Sequence, residues 1–379
     1  MKKILSLIFC GIACCFIYTN INTSPVKAKE NMDNYSSKYR FPDENQMHEG
    51  TWLIWPHKYT YGKKYAESIE YIWIKMVEAL SQDEKVHIIA YNKTLKNKVI
   101  AELSKKEVNM SNVDFVIAKS NDVWARDTGP MFVYDSKGNL EIADFGFNGW
   151  GKKTAYKYDD AIPKVVAKKK HFPIINLAPM VLEGGAIEVS PDGTVMGTKS
   201  SVTSKNRNPK LSQKQVEDYL RKYLGATNFI WLDGVKGEDI TDAHIDGFAR
   251  FYDDKTILTV PENDFFDLYE GIKEKDYQKL VTAKNTKGEK YKIEEIPLTS
   301  KNVKGLDYKG SYLNFYLGNK VVLVPVYGDK NDHIAIEKLQ KLYPNRKVVP
   351  INVVPLYKNG GMIHCVTQQQ PYEKEQENE

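Results

Sequence analysis

Short apolar runs occur in pairs along this chain, and residues that favour tight turns join each pair. Phe132-Val133-Tyr134 passes through Ser136-Lys137-Gly138 into Leu140-Glu141-Ile142. Ala186-Ile187-Glu188-Val189 turns at Pro191-Asp192-Gly193 into Val195-Met196, and Phe248 to Tyr252 turns at Asp253-Asp254 into Ile257 to Val260. A fourth pair runs from Asn314 to Leu317, through Gly318-Asn319, into Val321 to Val324. Gly, Asp and Asn accept the positive φ that short loops need, so each pair predicts a β-hairpin.

Helical spacing appears between the hairpins. Ile69, Ile72, Trp73, Met76 and Leu80 line one face of a helix. Ser212 with Gln215 predicts a capping box ahead of Val216, Tyr219, Leu220 and Tyr223, and Gly225 predicts the stop. Asp332 opens a third helix over Ala335, Leu339 and Leu342, which Pro344 ends. Each helix leads to a further apolar strand, such as Val86 to Ala90 or Val348 to Val354. The turns fall near 138, 193, 254 and 318, with gaps of 55, 61 and 64 residues. A hairpin-helix-strand unit therefore repeats about every 60 residues, and with an opening unit from Thr51 about five units fit, which predicts a closed or stacked array.

Composition refines this picture. The 379 residues are 42% apolar and 12% aromatic, a globular balance. Lys2 and Lys3 precede an apolar run from Ile4 to Tyr18, and Val26-Lys27-Ala28 follows. That pattern predicts a signal peptide over 1–28, and hence a protein secreted or held at the cell envelope. The run is short for a membrane span, so no integral membrane domain is expected after cleavage. The alternative is lipidation at Cys14 or Cys15, although Gly11-Ile12-Ala13-Cys14 lacks the usual Leu at its first position. Residues 29–40 read as a flexible leader and 372–379 as a disordered tail.

Cleavage after Ala28 removes Lys2, Lys3 and Lys27, which lowers the balance from 54 basic against 49 acidic residues to 51 against 49. A chain so close to neutral lacks the basic excess of a nucleic-acid or membrane-surface binder. Of four cysteines only Cys365 would remain. No intrachain disulfide and no thiolate zinc site is then possible.

Four segments read unlike ordinary core. Asn121-Asp122-Val123-Trp124-Ala125-Arg126-Asp127-Thr128-Gly129-Pro130 sets acids, an Arg and a Trp before a Gly-Pro turn. Leu182-Glu183-Gly184-Gly185 places a carboxylate beside two glycines, which lets backbone approach a ligand closely. In Asp239-Ile240-Thr241-Asp242-Ala243-His244-Ile245-Asp246-Gly247, an extended backbone would point His244 and Asp246 to one face. Asn359-Gly360-Gly361-Met362-Ile363-His364-Cys365-Val366-Thr367 carries the cysteine after a Gly-Gly turn. In a strand His364 would point away from Cys365, so it reads as structural.

Spacing links these segments. Glu183 follows Asp127 by 56 residues, His244 follows Glu183 by 61, and Cys365 follows His244 by 121. These are about one, one and two repeat lengths, and in a ring of repeats equivalent positions converge on the axis. One Cys, one His and three acids could thus surround one ligand. Peptide hydrolysis has no use for three carboxylates. They suit a cation, above all a planar guanidinium, whose donors match carboxylates two at a time. The other cation is a metal such as Ca²⁺ or Mn²⁺, but the chain has no His-Glu-x-x-His and no Asp-rich EF-hand loop.

The motifs together resemble the agmatine deiminase family, which includes the bacterial peptidylarginine deiminases. They are Gly50-Thr51-Trp52-Leu53-Ile54-Trp55-Pro56, the Trp124 to Pro130 segment, Phe147-Asn148-Gly149-Trp150-Gly151, Leu182-Glu183-Gly184-Gly185, Asn206-Arg207-Asn208-Pro209, His244-Ile245-Asp246 and Ile363-His364-Cys365-Val366-Thr367-Gln368-Gln369. The resemblance spans about Phe41 to Pro371, which it marks as the catalytic domain. It implies a pentein-like fold, a five-bladed α/β propeller of ββαβ units. It implies Cys365 as nucleophile and His244 as general acid and base. Asp127 and Asp246 would clamp the guanidinium, with Glu183 as a further carboxylate, and no cofactor or metal would be needed. Asp122 is expected to lie outside the site.

Two substrates fit the resemblance, agmatine and peptide arginine. Glu183 and the Phe147 to Gly151 segment are similar to the agmatine type, with Gly149 and Trp150 where the peptidyl type carries arginines to hold a carboxylate. Trp124 and Trp150 would pack an aliphatic stem or face its distal amine. Lys152 and Lys153 are the alternative carboxylate ligands. The chain departs from the agmatine-type pattern at Met362, where Asn is common, and at Ala243, where Gly is usual. From a different class, a non-catalytic cation binder would share the acids, but intact Cys365 and His244 argue against it.

Overall fold

The computed structural model describes residues 37–374. The predicted signal segment and most of the predicted leader lie outside the described residues, as do the last five residues of the tail. The described strands form five sheets with one recurring plan. In Met131–Asp135, Leu140–Gly146 and Ile174–Val181, an antiparallel hairpin is followed by a helix, Ile162–Lys170, and then by a parallel third strand. Ile187–Val189, Thr194–Thr198 and Asn228–Leu232 repeat the plan, as do Ala249–Phe251, Thr256–Thr259 and Lys292–Glu295. Tyr316–Leu317, Val321–Val326 and Lys347–Asn352 repeat it again. A helix between the second and third strands is what parallel pairing requires.

The fifth sheet differs in one respect that the sequence periodicity conceals. His48–Ile54 pairs in parallel with Lys85–Ala90, but its antiparallel partner is Gln368–Pro371 from the far end of the chain. Lys85–Ala90 in turn pairs with Val113–Ile117. Segments from near the two ends of the chain thus complete one unit together, and the pairing gives His48–Ile54 a partner on both sides.

The predicted helices form where the apolar stripes place them. Lys63–Leu80 buries Ile69, Ile72, Trp73, Met76 and Leu80, each worth about 1.5–3 kcal/mol when removed from water. Gln213–Leu224 starts at Ser212 with both capping-box bonds made and stops at Gly225, whose φ is 73°. Asp332–Leu342 ends one residue before the Tyr343-Pro344 junction. The predicted strand over Val348 to Val354 stops at Asn352, because Val354–Tyr357 turns into a short helix with Pro355 in its first turn.

Both edges of the domain run further than the leader and tail boundaries. Tyr39 and Arg40 pair with Asp135 and Tyr134, and Phe41 N–H bonds to Leu224 O at 3.0 Å. At the other end Leu140 N–H bonds to Glu373 O at 3.1 Å, and Tyr134 donates to Tyr372 O at 3.0 Å. Among the described residues no helix is long and apolar enough to cross a membrane.

Candidate active site

Each site residue sits in a short turn or immediately before one. Asp127 lies in the turn Ala125–Thr128, just before the strand Met131–Asp135. Glu183 immediately precedes a 3₁₀ turn, Gly184–Ala186. His244 immediately precedes another, Ile245–Gly247, which contains Asp246. Cys365 lies in a third, His364–Val366. His244 itself is extended, with φ of −60° and ψ of 144°, but the expected extended run breaks at Ile245, and His364 lies in a turn and not in a strand. Backbone curvature in the 3₁₀ turns, not strand alternation, aims these side chains.

Gly185 marks the point of convergence. A Cβ placed there would lie 2.8 Å from His244 Nδ1, 3.1 Å from Asp127 Oδ1 and 3.1 Å from Asp246 Oδ2. Asp246 Oδ2 is in turn 3.9 Å from Cys365 Sγ. Only a residue without a side chain leaves this space open, which explains the second glycine of the Glu183 segment. Gly361 meets the same demand for Trp124, whose ring occupies the space a Cβ would need.

Hydrogen bonds fix each group. Asp127 accepts from Trp150 Nε1 at 2.9 Å and from Gly185 N–H at 3.1 Å. Glu183 is fully buried and both its oxygens are engaged, one by Arg207 Nε at 2.7 Å and the other 3.4 Å from His244 Nε2. That occupancy makes Glu183 a partner of His244 and not a free clamp for a ligand. His364 is no isolated structural residue: its Nδ1 lies 2.8 Å from Asp246 Oδ2. Asp122 accepts from Tyr61 at 2.6 Å and stands apart from this cluster.

Burial works against charge on His244, but Asp127 and Glu183 hold its pKa up at about 9. Burial raises the Asp127 pKa. Asp246 stays below the ordinary carboxylate value despite burial, because His364 bonds to it. Burial, with Asp246 and Asp127 nearby, pushes the Cys365 thiol well above its ordinary range. These shifts favour a protonated thiol and a charged imidazole. A bound cation between the two acids would reverse the pressure on the thiol.

Sequence reasoning missed Asn314, whose Nδ2 donates to Cys365 Sγ at 3.3 Å and whose Oδ1 accepts from His364 N–H at 3.0 Å. A signal existed, since an Asn inside the apolar run Leu313-Asn314-Phe315-Tyr316 must find partners if the run is buried. Arg207 was visible only as part of a motif. It also donates to Asp242 Oδ2 at 2.7 Å and to Thr241 O at 2.9 Å, so it secures the backbone just before His244. Asp242 and Ala243 there have φ of 61° and 68°. The left-handed backbone explains why glycine suits position 243.

Residues 40–371 match the family model described as Porphyromonas-type peptidyl-arginine deiminase. The chain belongs to this family. An inferred agmatine deiminase of Enterococcus faecalis is 30% identical over 360 residues, covering 88% of this chain and 96% of its own length. The solved agmatine deiminase of Enterococcus faecalis superposes with a TM-score of 0.78 at 28% identity, over 88% of this chain and 96% of that one. A Cys-to-Ser variant of C. jejuni agmatine deiminase, solved with substrate bound, gives a TM-score of 0.76 at 27% identity, over 90% and 98% of the two chains. An inferred arginine deiminase of Porphyromonas gingivalis gives 0.80 at 31% identity, over 89% and 99%. These deiminase folds are mixed α/β and pentein-like, as is this chain.

Proposed function

We propose that this protein hydrolyses the guanidinium group of agmatine to N-carbamoylputrescine and ammonia, with Cys365 as nucleophile. The observation that carries this reading is the convergence of Cys365, His244, Asp127 and Asp246 around Gly185. Asp127 and Asp246 bind the planar cation, and its charge lowers the thiol pKa so that the Sγ proton passes to solvent. The thiolate bonds to the guanidinium carbon. Charged His244 gives its proton to the departing nitrogen, which leaves as ammonia. In the amidino-thioether that remains, neutral His244 takes a proton from water as the water oxygen attacks the same carbon. Collapse of that adduct breaks the C–S bond and releases the urea and free thiol. Glu183 orients His244, and Arg207 holds Glu183.

Agmatine is favoured over free arginine by what surrounds the site. Arg126, Arg207 and Arg250 are all buried, and each is committed to acids of the protein. Lys153 is likewise engaged, by Asp242 at 2.8 Å and by the Asp239 and Ile240 carbonyls. An α-carboxylate would therefore be desolvated among acids without a partner. Trp124 and Trp150 remain to pack an aliphatic stem. Agmatine turnover should exceed that of free arginine by at least about tenfold, which needs only ~1.4 kcal/mol. The test is kcat/KM for agmatine, free arginine and a peptide with C-terminal arginine. If the peptide wins, peptidylarginine is the substrate and Lys152 becomes the candidate carboxylate ligand.

The five sheets are proposed as blades of one closed propeller, a reading supported by their common plan and by the shared first-and-last unit. Export through residues 1–28 is proposed from the segment pattern alone. N-terminal sequencing of the mature protein tests it, with Lys29 as the expected first residue.

A further inference from the structure

One carboxylate outside every recognised motif touches most of the segments that build the site. Glu44 lies 2.9 Å from Arg126 Nη2, in the turn that carries Asp127. It lies 3.1 Å from Arg250 Nη2, in the strand that follows Asp246, and accepts from Leu317 N–H at 3.0 Å, three residues beyond Asn314. It also lies 2.9 Å from Nε2 of His364, the neighbour of Cys365. The other ring nitrogen of His364 is the one at 2.8 Å from Asp246 Oδ2. The imidazole of His364 therefore stands between two carboxylates, with one ring nitrogen facing each.

We propose that Glu44 is a positioning residue of the deimination site, acting through His364 to fix Asp246 beside Cys365. The inference rests on the deiminase reading above. A carboxylate held on one side by a donor of fixed direction has its remaining acceptor capacity aimed in advance, which is what a planar cation needs. Take away the charge on Glu44 and His364 loses the partner that fixes its ring. Asp246 would remain present and acidic but lose its fixed direction. Burial opposes ionisation of Glu44, yet Arg250, His364 and Arg126 hold it well below the ordinary carboxylate range, so the charge is in place.

Alkylation of Cys365 tests this without relying on turnover. Chloroacetamidine is a cation that the acids would hold beside the thiol, and chloroacetamide is its neutral counterpart. Rates are followed by mass spectrometry on the whole mature protein. Wild type should prefer the cationic reagent. Glu44→Gln should reduce that preference at least about fivefold while the chloroacetamide rate stays within about twofold, and Glu44→Gln/His364→Gln should be no worse than His364→Gln alone. An unchanged preference in Glu44→Gln overturns the proposal, and so do losses that multiply in the double variant. Should Glu44→Gln fail to fold, Glu44→Asp carries the test, since it keeps the charge but shortens the reach. An unchanged preference there also overturns the proposal. If wild type itself shows no preference, it is the deiminase reading that fails.

Discussion

Trp150 donates its indole N–H to Asp127 at 2.9 Å from a backbone held at φ 52°. Gly149 and Gly151 flank it with φ of 68° and 87°, so the turn is left-handed throughout. A bulky residue in that conformation is unusual, and here the turn aims the indole at the acid. Trp150→Phe keeps an aromatic ring but removes the donor together with part of the buried indole. A hydrogen bond to a charged group is worth about 1.5–3 kcal/mol, so kcat/KM for agmatine should fall by roughly 10- to 100-fold. The smaller ring leaves a cavity and costs some stability, so the decisive reading is kcat/KM of the folded variant, and a loss in stability without a loss in kcat/KM would count against this role.

Gly185→Ala should silence the site by filling it. The φ of Gly185 is not in the left-handed region, so the added methyl brings no backbone strain. It would instead stand about where His244, Asp127 and Asp246 face one another. Loss of agmatine turnover by at least about 100-fold, some 2.7 kcal/mol, is expected with the circular dichroism spectrum unchanged. Retained activity would show that the ligand does not occupy this space.

His244 links stability to pH. Its folded pKa of about 9 lies above its ordinary 6.5, so the folded state favours the proton. The stabilisation is complete below about pH 6.5 and is lost as pH rises through about 9, on the order of 3 kcal/mol in all. Urea unfolding of wild type and His244→Gln at pH 6.5 and pH 9.5 measures this. The gap between the two proteins should shrink at the higher pH, and a constant gap would exclude the linkage.

Ala243 offers a stabilising change. With φ of 68° it sits where an L side chain crowds its own carbonyl, and Thr198 holds it there by donating to its carbonyl at 2.8 Å. Ala243→Gly should raise unfolding free energy by about 1 kcal/mol, the relief of left-handed strain less the added entropy of the unfolded chain. A lower denaturant midpoint would mean that the methyl packs better than the backbone suffers.

What the sequence determined by itself are the features that depend on neighbours in the chain. The stripe from Ile69 to Leu80, the Ser212–Gln215 box with its Gly225 stop, and the four hairpin turns are all local, because caps and periodicity act within a few residues. Asp127, Glu183, His244 and Cys365 read as a set because about one, one and two repeat lengths separate them, with Asp246 two residues beyond His244. Tertiary structure alone decided how they are held. Glu183 reads in sequence as a third clamp, but folding brings Arg207 and His244 onto its two oxygens. His364 reads as pointing away, but a 3₁₀ turn replaces the strand and delivers it to Asp246. Asn314 and Glu44 reach His364 across 50 and 320 positions of sequence. No local pattern encodes a partner at that distance, because buried charges choose partners only after the backbone has brought them together.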